Sequence, residues 1–159
     1  MGRALRQAAV IPYRIRRNRI EVALVTTLSG KRWIVPKGSI DEGERPRVAA
    51  SREAEEEAGL IGVLTRKPLG RYKYENGAVT CRVDVYAMRV TTALDHWLEE
   101  KLRRRRWVRL DDAGERLREE MLPLLQGLER VVKRRARALR SARNHRLSAT
   151  PAKVRKSVI

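Results

Sequence analysis

Phenylalanine is absent from the sequence, cysteine occurs once, and tryptophan and tyrosine together number seven. Without Phe, the interior must be built from aliphatic side chains. A lone Cys81 excludes an intramolecular disulfide and is expected to be a small buried strand residue in a reducing, cytoplasmic setting. Long apolar runs are missing as well. The opening MGRALRQAAVIPYRIRRNR is interrupted by charge too often for a signal peptide or a membrane span. The two histidines, His96 and His145, have no partner spacing that points to catalysis, and no internal repeat is visible. What remains is 159 residues, room for one ordinary domain with a substantial core.

Acidic residues are missing from one region only. Residues 1–129 carry 26 Lys and Arg against 19 Asp and Glu, whereas residues 130–159 carry 11 basic residues and no acid. From about Ser141 onward the chain reads as a basic, loose tail, residues 141–159, following a domain of residues 1–140. Such a tail suits contact with nucleic acid or another polyanion.

Hydrophobic spacing gives a mixed α/β order. Residues 6–14 and 20–26 read as strands, and Trp33-Ile34-Val35 as a short extended piece running into Pro36. Residues 37–45 form a loop. A helix is expected from Pro46, suited to a first helical turn, to a C-cap at Gly59. Two long strands, 63–74 and 78–90, flank the hairpin signal Asn76-Gly77, and 105–110 gives another strand. A short helix over Asp111 to Glu120 is followed, past Pro123, by a longer amphipathic helix with Leu124, Leu125, Leu128, Val131 and Val132 on its apolar side. The expected architecture is a mixed sheet with helices packed on its faces.

The helix from Pro46 carries the chemistry. Glu53, Glu56 and Glu57 stand at i, i+3 and i+4, on one face, while Glu55 points away. Like charges so placed repel by about a few tenths of a kcal/mol per pair in isolation. A divalent cation reverses that sign, and hard carboxylate oxygens suit Mg2+ or Mn2+. A highly phosphorylated ligand would need cations aimed at this site. Candidates are Arg14, Lys31, Arg32, Lys37 and Arg104 to Arg106, with Lys37 foremost because its loop leads into the helix. Tyr72 and Tyr74 lie on a strand able to line a pocket, and Trp33 and Trp97 have rings able to stack a base.

The run from Gly38 to Leu60 resembles the Nudix box, G-x5-E-x7-R-E-U-x-E-E-x-G-U with U aliphatic. Gly38, Glu44, Arg52, Glu53, Ala54, Glu56, Glu57, Gly59 and Leu60 fill all nine specified positions. At residue frequencies of about 5–10%, a chance match at one start point is on the order of one in ten million. Trp97, the run Arg103 to Arg106, Trp107 and Leu110-Asp111-Asp112-Ala113 look like the diphosphoinositol polyphosphate and diadenosine polyphosphate hydrolase branch, and residues from about 6 to 135 can be laid on a Nudix domain.

The resemblance implies the Nudix α/β/α sandwich with a mixed β-sheet and C-terminal helix. It implies hydrolysis of a phosphoanhydride in a polyphosphorylated small molecule, with Mg2+ or Mn2+ held by Glu53, Glu56, Glu57 and the Gly38 carbonyl. Arg52 would fix a box glutamate, Glu44 would brace the loop or take a metal-bound water, and Glu56 or Glu57 would accept the proton from water. Substrate contacts are expected from Lys37, Arg14, Arg32, Arg104 and Arg106. ADP-ribose hydrolases carry a proline about fifteen residues past the box, where this chain reads Tyr74-Glu75-Asn76-Gly77. Enzymes acting on short diadenosine polyphosphates carry a tyrosine slightly downstream of the position of Tyr74. Two other functions fit the family: removal of pyrophosphate from RNA 5′ ends, with the basic tail holding the backbone, and a non-catalytic nucleotide sensor. The intact Arg52, Glu53, Glu56 and Glu57 argue against the sensor.

Overall fold

The computed structural model describes residues 4–149. Its centre is an eight-stranded mixed sheet. Strands β1 (Leu5–Arg16) and β7 (Val79–Ala93) run parallel at the middle, with Leu5 to Tyr13 in register with Cys81 to Arg89. Both are buried over consecutive residues, Ala8 to Tyr13 and Val85 to Met88, because both faces of the sheet are covered there. All other pairings are antiparallel: β2 (Arg19–Thr26) to β1, β3 (Trp33–Ile34) and β8 (Arg105–Arg109) to β2, β4 (Lys37–Ser39) to β1, and β5 (Leu60–Leu64) and β6 (Gly70–Asn76) to β7.

Helix α1 (Pro46–Ala58) packs on one face through Ala49, Ala50, Ala54 and Ala58. Small side chains allow a close approach, and the helix closes a cluster with Val10, Val25, Leu60, Tyr86 and Met88. Strand alternation sends Ala9, Ile11, Val22, Leu24, Val83 and Val85 to the opposite face. Leu117 and Met121, which follow α2 (Leu110–Arg116), are buried, as are Leu124, Leu125 and Leu128 in the first turns of α3 (Leu122–Ser148). Leu124 rests against Gly70 of β6.

The expected strand 63–74 is two strands. Thr65 to Leu69 leave the sheet, with Pro68 offering no N–H, and rejoin it: the Thr65 N–H donates to Ala87 O and the Leu69 N–H to Val85 O. Residues 37–39, expected in a loop, pair with β1. The helix expected over Asp111 to Glu120 ends at Arg116, because Leu117 is extended, and a 3-10 turn follows at Glu119–Met121. Pro123 sits in the first turn of α3, where its missing N–H costs nothing. The loose tail expected from Ser141 begins instead as helix, since α3 runs to Ser148. The remainder of that tail, from Thr150, lies outside the described residues.

Candidate active site

Every terminal carbonyl of α1 has a partner. Gly59, at φ 62°, turns the chain out of the helix, and its N–H donates to Glu55 O. The loop between β7 and β8 and the start of β8 supply the rest: Glu99 N–H donates to Glu56 O, Trp97 Nε1–H to Glu57 O and Arg105 Nη1 to Ala58 O. These are the orphan acceptors that end a helix. Trp97 thus acts as a helix cap, its ring covered by Arg105 at 4.4 Å, and it does not line the cleft described below. The same bonds lock the orientation of the last two helical turns, which carry Glu53, Glu56 and Glu57.

Arg52 organises the acidic face. Its Nε and Nη2 donate to the two oxygens of Glu44, each at 3.0 Å, in the fork geometry that favours guanidinium over ammonium. Nη1 donates to Glu53 Oε1 at 2.9 Å and Glu56 Oε2 at 3.2 Å, and Nη2 also reaches Ser39 O. Arg52 therefore ties the box loop, through Glu44 and Ser39, to the helix. The guanidinium holds Glu44 below the usual carboxylate range, while burial raises Glu53 against the pull of Arg52.

Glu57 is more deeply enclosed. Its Oε2 accepts the backbone N–H of Lys37 at 3.1 Å, and its Oε1 accepts Arg103 Nη2 at 3.0 Å. Burial pushes its carboxyl up to about 7, opposed by the Arg103 charge and the Lys37 N–H. The Arg103 side chain is only 9% exposed, donates to Thr26 O and lies 3.5 Å from Glu99.

The residues fit a hard cation. Five carboxylates (Glu44, Glu53, Glu56, Glu57 and Glu99) face two guanidiniums, Arg52 and Arg103, an excess of negative charge in a half-buried place. The offered donors are all oxygens. A Cβ on Gly38 would overlap the Glu53 carboxylate, so glycine keeps this space for the carboxylate beside the β4 backbone. Among the described residues, no three acidic, histidine or cysteine side chains already converge to hold an ion. Arg52 and Arg103 hold them apart, drawing Glu53 and Glu56 one way and Glu57 another.

Lys37 joins this face to a cleft. While its N–H serves Glu57, its Nζ donates to the Tyr74 hydroxyl at 3.0 Å, which in turn donates to Gln7 Oε1 at 2.7 Å. The cleft has a volume of about 280 Å3. Its walls include Trp33, Ile34, Tyr72, Tyr74 and Met121, with Arg32, Lys37, Arg116 and Arg118 as cations. Arg118 lies 4.9 Å from the Tyr74 ring centre, and Arg104 lies 5.6 Å from that of Trp33.

Of the residues expected to touch substrate, Lys37 and Arg32 line the cleft, and Arg104 reaches only the ring of Trp33, one of its walls. Arg106, exposed on β8 opposite Leu24, does not line it. Arg14 is elsewhere: it pairs with Glu21 at 3.0 Å and covers Trp107 at 4.0 Å. Six residues separate it from Ala8, the partner of Gly38, which is about 20 Å along the strand. Arg103, Arg116 and Arg118 were not among the expected residues. For the first, the sequence signals are its place in the run Arg103 to Arg106 and its i,i+4 spacing from Glu99. The other two were hidden inside a helix that in fact ends between them.

Comparison with known proteins gives the same frame. Residues 5–128 match the family model described as NUDIX domain. Nudix hydrolase 12, mitochondrial, of Arabidopsis thaliana is 35% identical over 113 residues, covering 66% of this chain and 56% of the relative. Diphosphoinositol polyphosphate phosphohydrolase 3-beta of Bos taurus is 34% identical over 110 residues, covering 68% and 66%. The chain spans little more than half the length of several Arabidopsis relatives. Among solved structures, the C. elegans Ap4A hydrolase binary complex aligns at a TM-score of 0.68 and 23% identity over 82% of this chain and 98% of that one. The NUDIX domain of Shewanella oneidensis NrtR complexed with ADP ribose aligns at 0.67 and 15% over 83% and 90%. At those identities the structural likeness shows the fold, a mixed sheet with helices on its faces. With its box filled at every position and the family model matched across the whole sheet, this chain belongs to the Nudix hydrolase family.

Proposed function

We propose that this protein hydrolyses a phosphoanhydride bond of a dinucleoside polyphosphate, using Mg2+, with the diphosphoinositol polyphosphate type as the second choice. Nudix enzymes generally use divalent ions. Here Glu53, Glu56, Glu57 and the Gly38 carbonyl would hold them, and Mn2+ would substitute. When bound, such ions supply positive charge to phosphate oxygens and acidify water. The observation that carries the reading is Lys37, whose N–H binds the acidic face and whose ammonium lies in the cleft. A polyphosphate laid between the two would meet Lys37, Arg32 and Arg118, and its base would meet the ring of Trp33. The aromatic wall favours a nucleoside over an inositol ring.

Glu57 commits both oxygens, to Lys37 and to Arg103, whereas Glu56 is about a third exposed and has one oxygen without a partner. Glu56 therefore takes the proton from the attacking water. The water oxygen bonds to phosphorus and the anhydride oxygen leaves with its phosphate. Arg52 holds Glu56 and Glu53 in position.

The test is a rate comparison with Mg2+ across diadenosine tetraphosphate, a diphosphoinositol polyphosphate and triphosphorylated RNA. The dinucleotide should turn over fastest. A faster inositol substrate would transfer the assignment to the second choice, and inertness toward both would reject it. One observation favours RNA as a rival substrate: residues 130–149 are basic and carry no acid, with Arg130, Lys133, Arg134, Arg137 and Arg140 crowding one side of the helix. Truncation after residue 135 should cripple RNA processing and spare the small substrates.

A further inference from the structure

The end of the sheet remote from the acidic face carries a second concentration of charge that the Nudix reaction does not use. On one face of β1, β2 and β8, the cross-strand pairs are Arg16 with Arg19, Arg14 with Glu21, and Glu21 with Arg109. Glu21 is the one acid there, and Arg14 takes it at 3.0 Å. Arg16, Arg17, Arg19 and Arg109 have no acidic partner within 4 Å among the described residues, unlike Arg52, Arg71 and Arg103. Together with Glu21 these four line a surface hollow of about 540 Å3.

Two features of this corner work against the free protein. Arg16 and Arg19 face each other directly across the ladder, and like charges in that relation destabilise a hairpin. The two-residue turn between them is Arg17-Asn18, with φ 50° and 59°. Such a turn favours Asn or Gly at both positions, yet its first is an arginine. Both costs are offset if an anion of several charges sits among the guanidiniums. Arginine forks suit phosphate oxygens. The four surround one hollow rather than forming a track, which favours condensed phosphates over a nucleic-acid backbone, whose phosphates are spread along the strand.

We infer that the β1–β2 hairpin tip, with Arg16, Arg17, Arg19 and Arg109, is a second, non-catalytic binding site for a condensed oligophosphate. It lies about 26 Å along β1 from Ala8, the partner of Gly38, so one short oligophosphate cannot occupy both places. It holds whether or not the proposed substrate is correct, because none of its residues belongs to the acidic face or the cleft.

Inorganic tripolyphosphate titrated into the full chain with chelator present, followed by amide NMR, tests this. The amides of residues 15–20 should shift and saturate, at concentrations at least tenfold below those needed with orthophosphate. The R16Q/R19Q variant should lose these shifts, keep those around Lys37, and keep its Mg2+-dependent turnover within twofold. Its melting temperature without ligand should equal or exceed that of the parent; if it melts lower, R109Q on the neighbouring strand must weaken binding at least fivefold. Hairpin amides that stay still, hairpin shifts that persist undiminished in R16Q/R19Q, turnover that falls with that variant, or tighter binding of an oligothymidylate than of tripolyphosphate would each overturn the assignment.

Discussion

The acidic face of α1 and the cleft beside Tyr74 meet at one residue, Lys37, yet they are built in opposite ways. The face comes mostly from one stretch, residues 37–59, joined by Glu99, and its side chains are partnered within the stretch or by Arg103. The cleft is gathered from residues near 32, 73 and 117, and its cations Arg32, Lys37, Arg116 and Arg118 have no acidic partner within 4 Å among the described residues. One region holds charge in readiness by mutual compensation, and the other leaves cations available to a ligand. Damage to the first should strike turnover or stability, and damage to the second should strike substrate affinity.

The largest effect expected is on Glu56→Gln. It removes the proposed proton acceptor while keeping the shape that Arg52 holds, so kcat should drop by about a thousandfold or more with the melting temperature little changed. Steady-state kinetics beside a thermal melt would check it. Next is Arg103→Met, which leaves Glu57 buried without its cation. A stability loss of about 3–5 kcal/mol is expected by urea denaturation. The exposed Arg71–Asp84 pair supplies the contrast, since Arg71→Gln should cost about 0.5 kcal/mol or less.

Two cleft substitutions sharpen the other half. Lys37→Met keeps the backbone N–H on Glu57 and removes the ammonium beside Tyr74. KM should rise by about tenfold, with kcat falling less, the sign of a group that binds substrate more than it serves the transition state. Arg118→Gln should raise KM only a few-fold, because its contact is with the Tyr74 ring rather than with a carboxylate. If Lys37→Met lowers kcat alone, or Arg118→Gln outweighs it, the division between face and cleft is wrong.

That division also explains what could be read from the sequence. The spacing of Glu53, Glu56 and Glu57, the cap at Gly59 and the close approach at Gly38 are local matters, set by helical period and by the missing Cβ. They were legible, as were the central strands. The cleft was legible only in pieces. Lys37, Arg32, Tyr72 and Tyr74 stand out in the sequence, but Arg116 and Arg118 sit inside an apparent helix that Leu117 breaks. Arg103 was one of four consecutive arginines, and only tertiary structure separates the one that meets Glu57 from the one that caps α1. Arg14 lies away from the cleft because a strand's length, invisible in its composition, carries it toward the far end of the sheet. The excursion at Thr65 to Leu69 was signalled by Pro68, which the alternating pattern on either side outweighed.

The central claim is that the carboxylates of α1 and the cleft act together on a phosphoanhydride. Phosphorus NMR of diadenosine tetraphosphate with the wild-type chain, Mg2+ present and then chelated, tests it most directly. The account predicts that the anhydride resonances disappear with Mg2+, persist with chelator, and persist with Glu56→Gln even when Mg2+ is present. Anhydride resonances that survive the wild-type protein with Mg2+, or that vanish equally fast with Glu56→Gln, would contradict it.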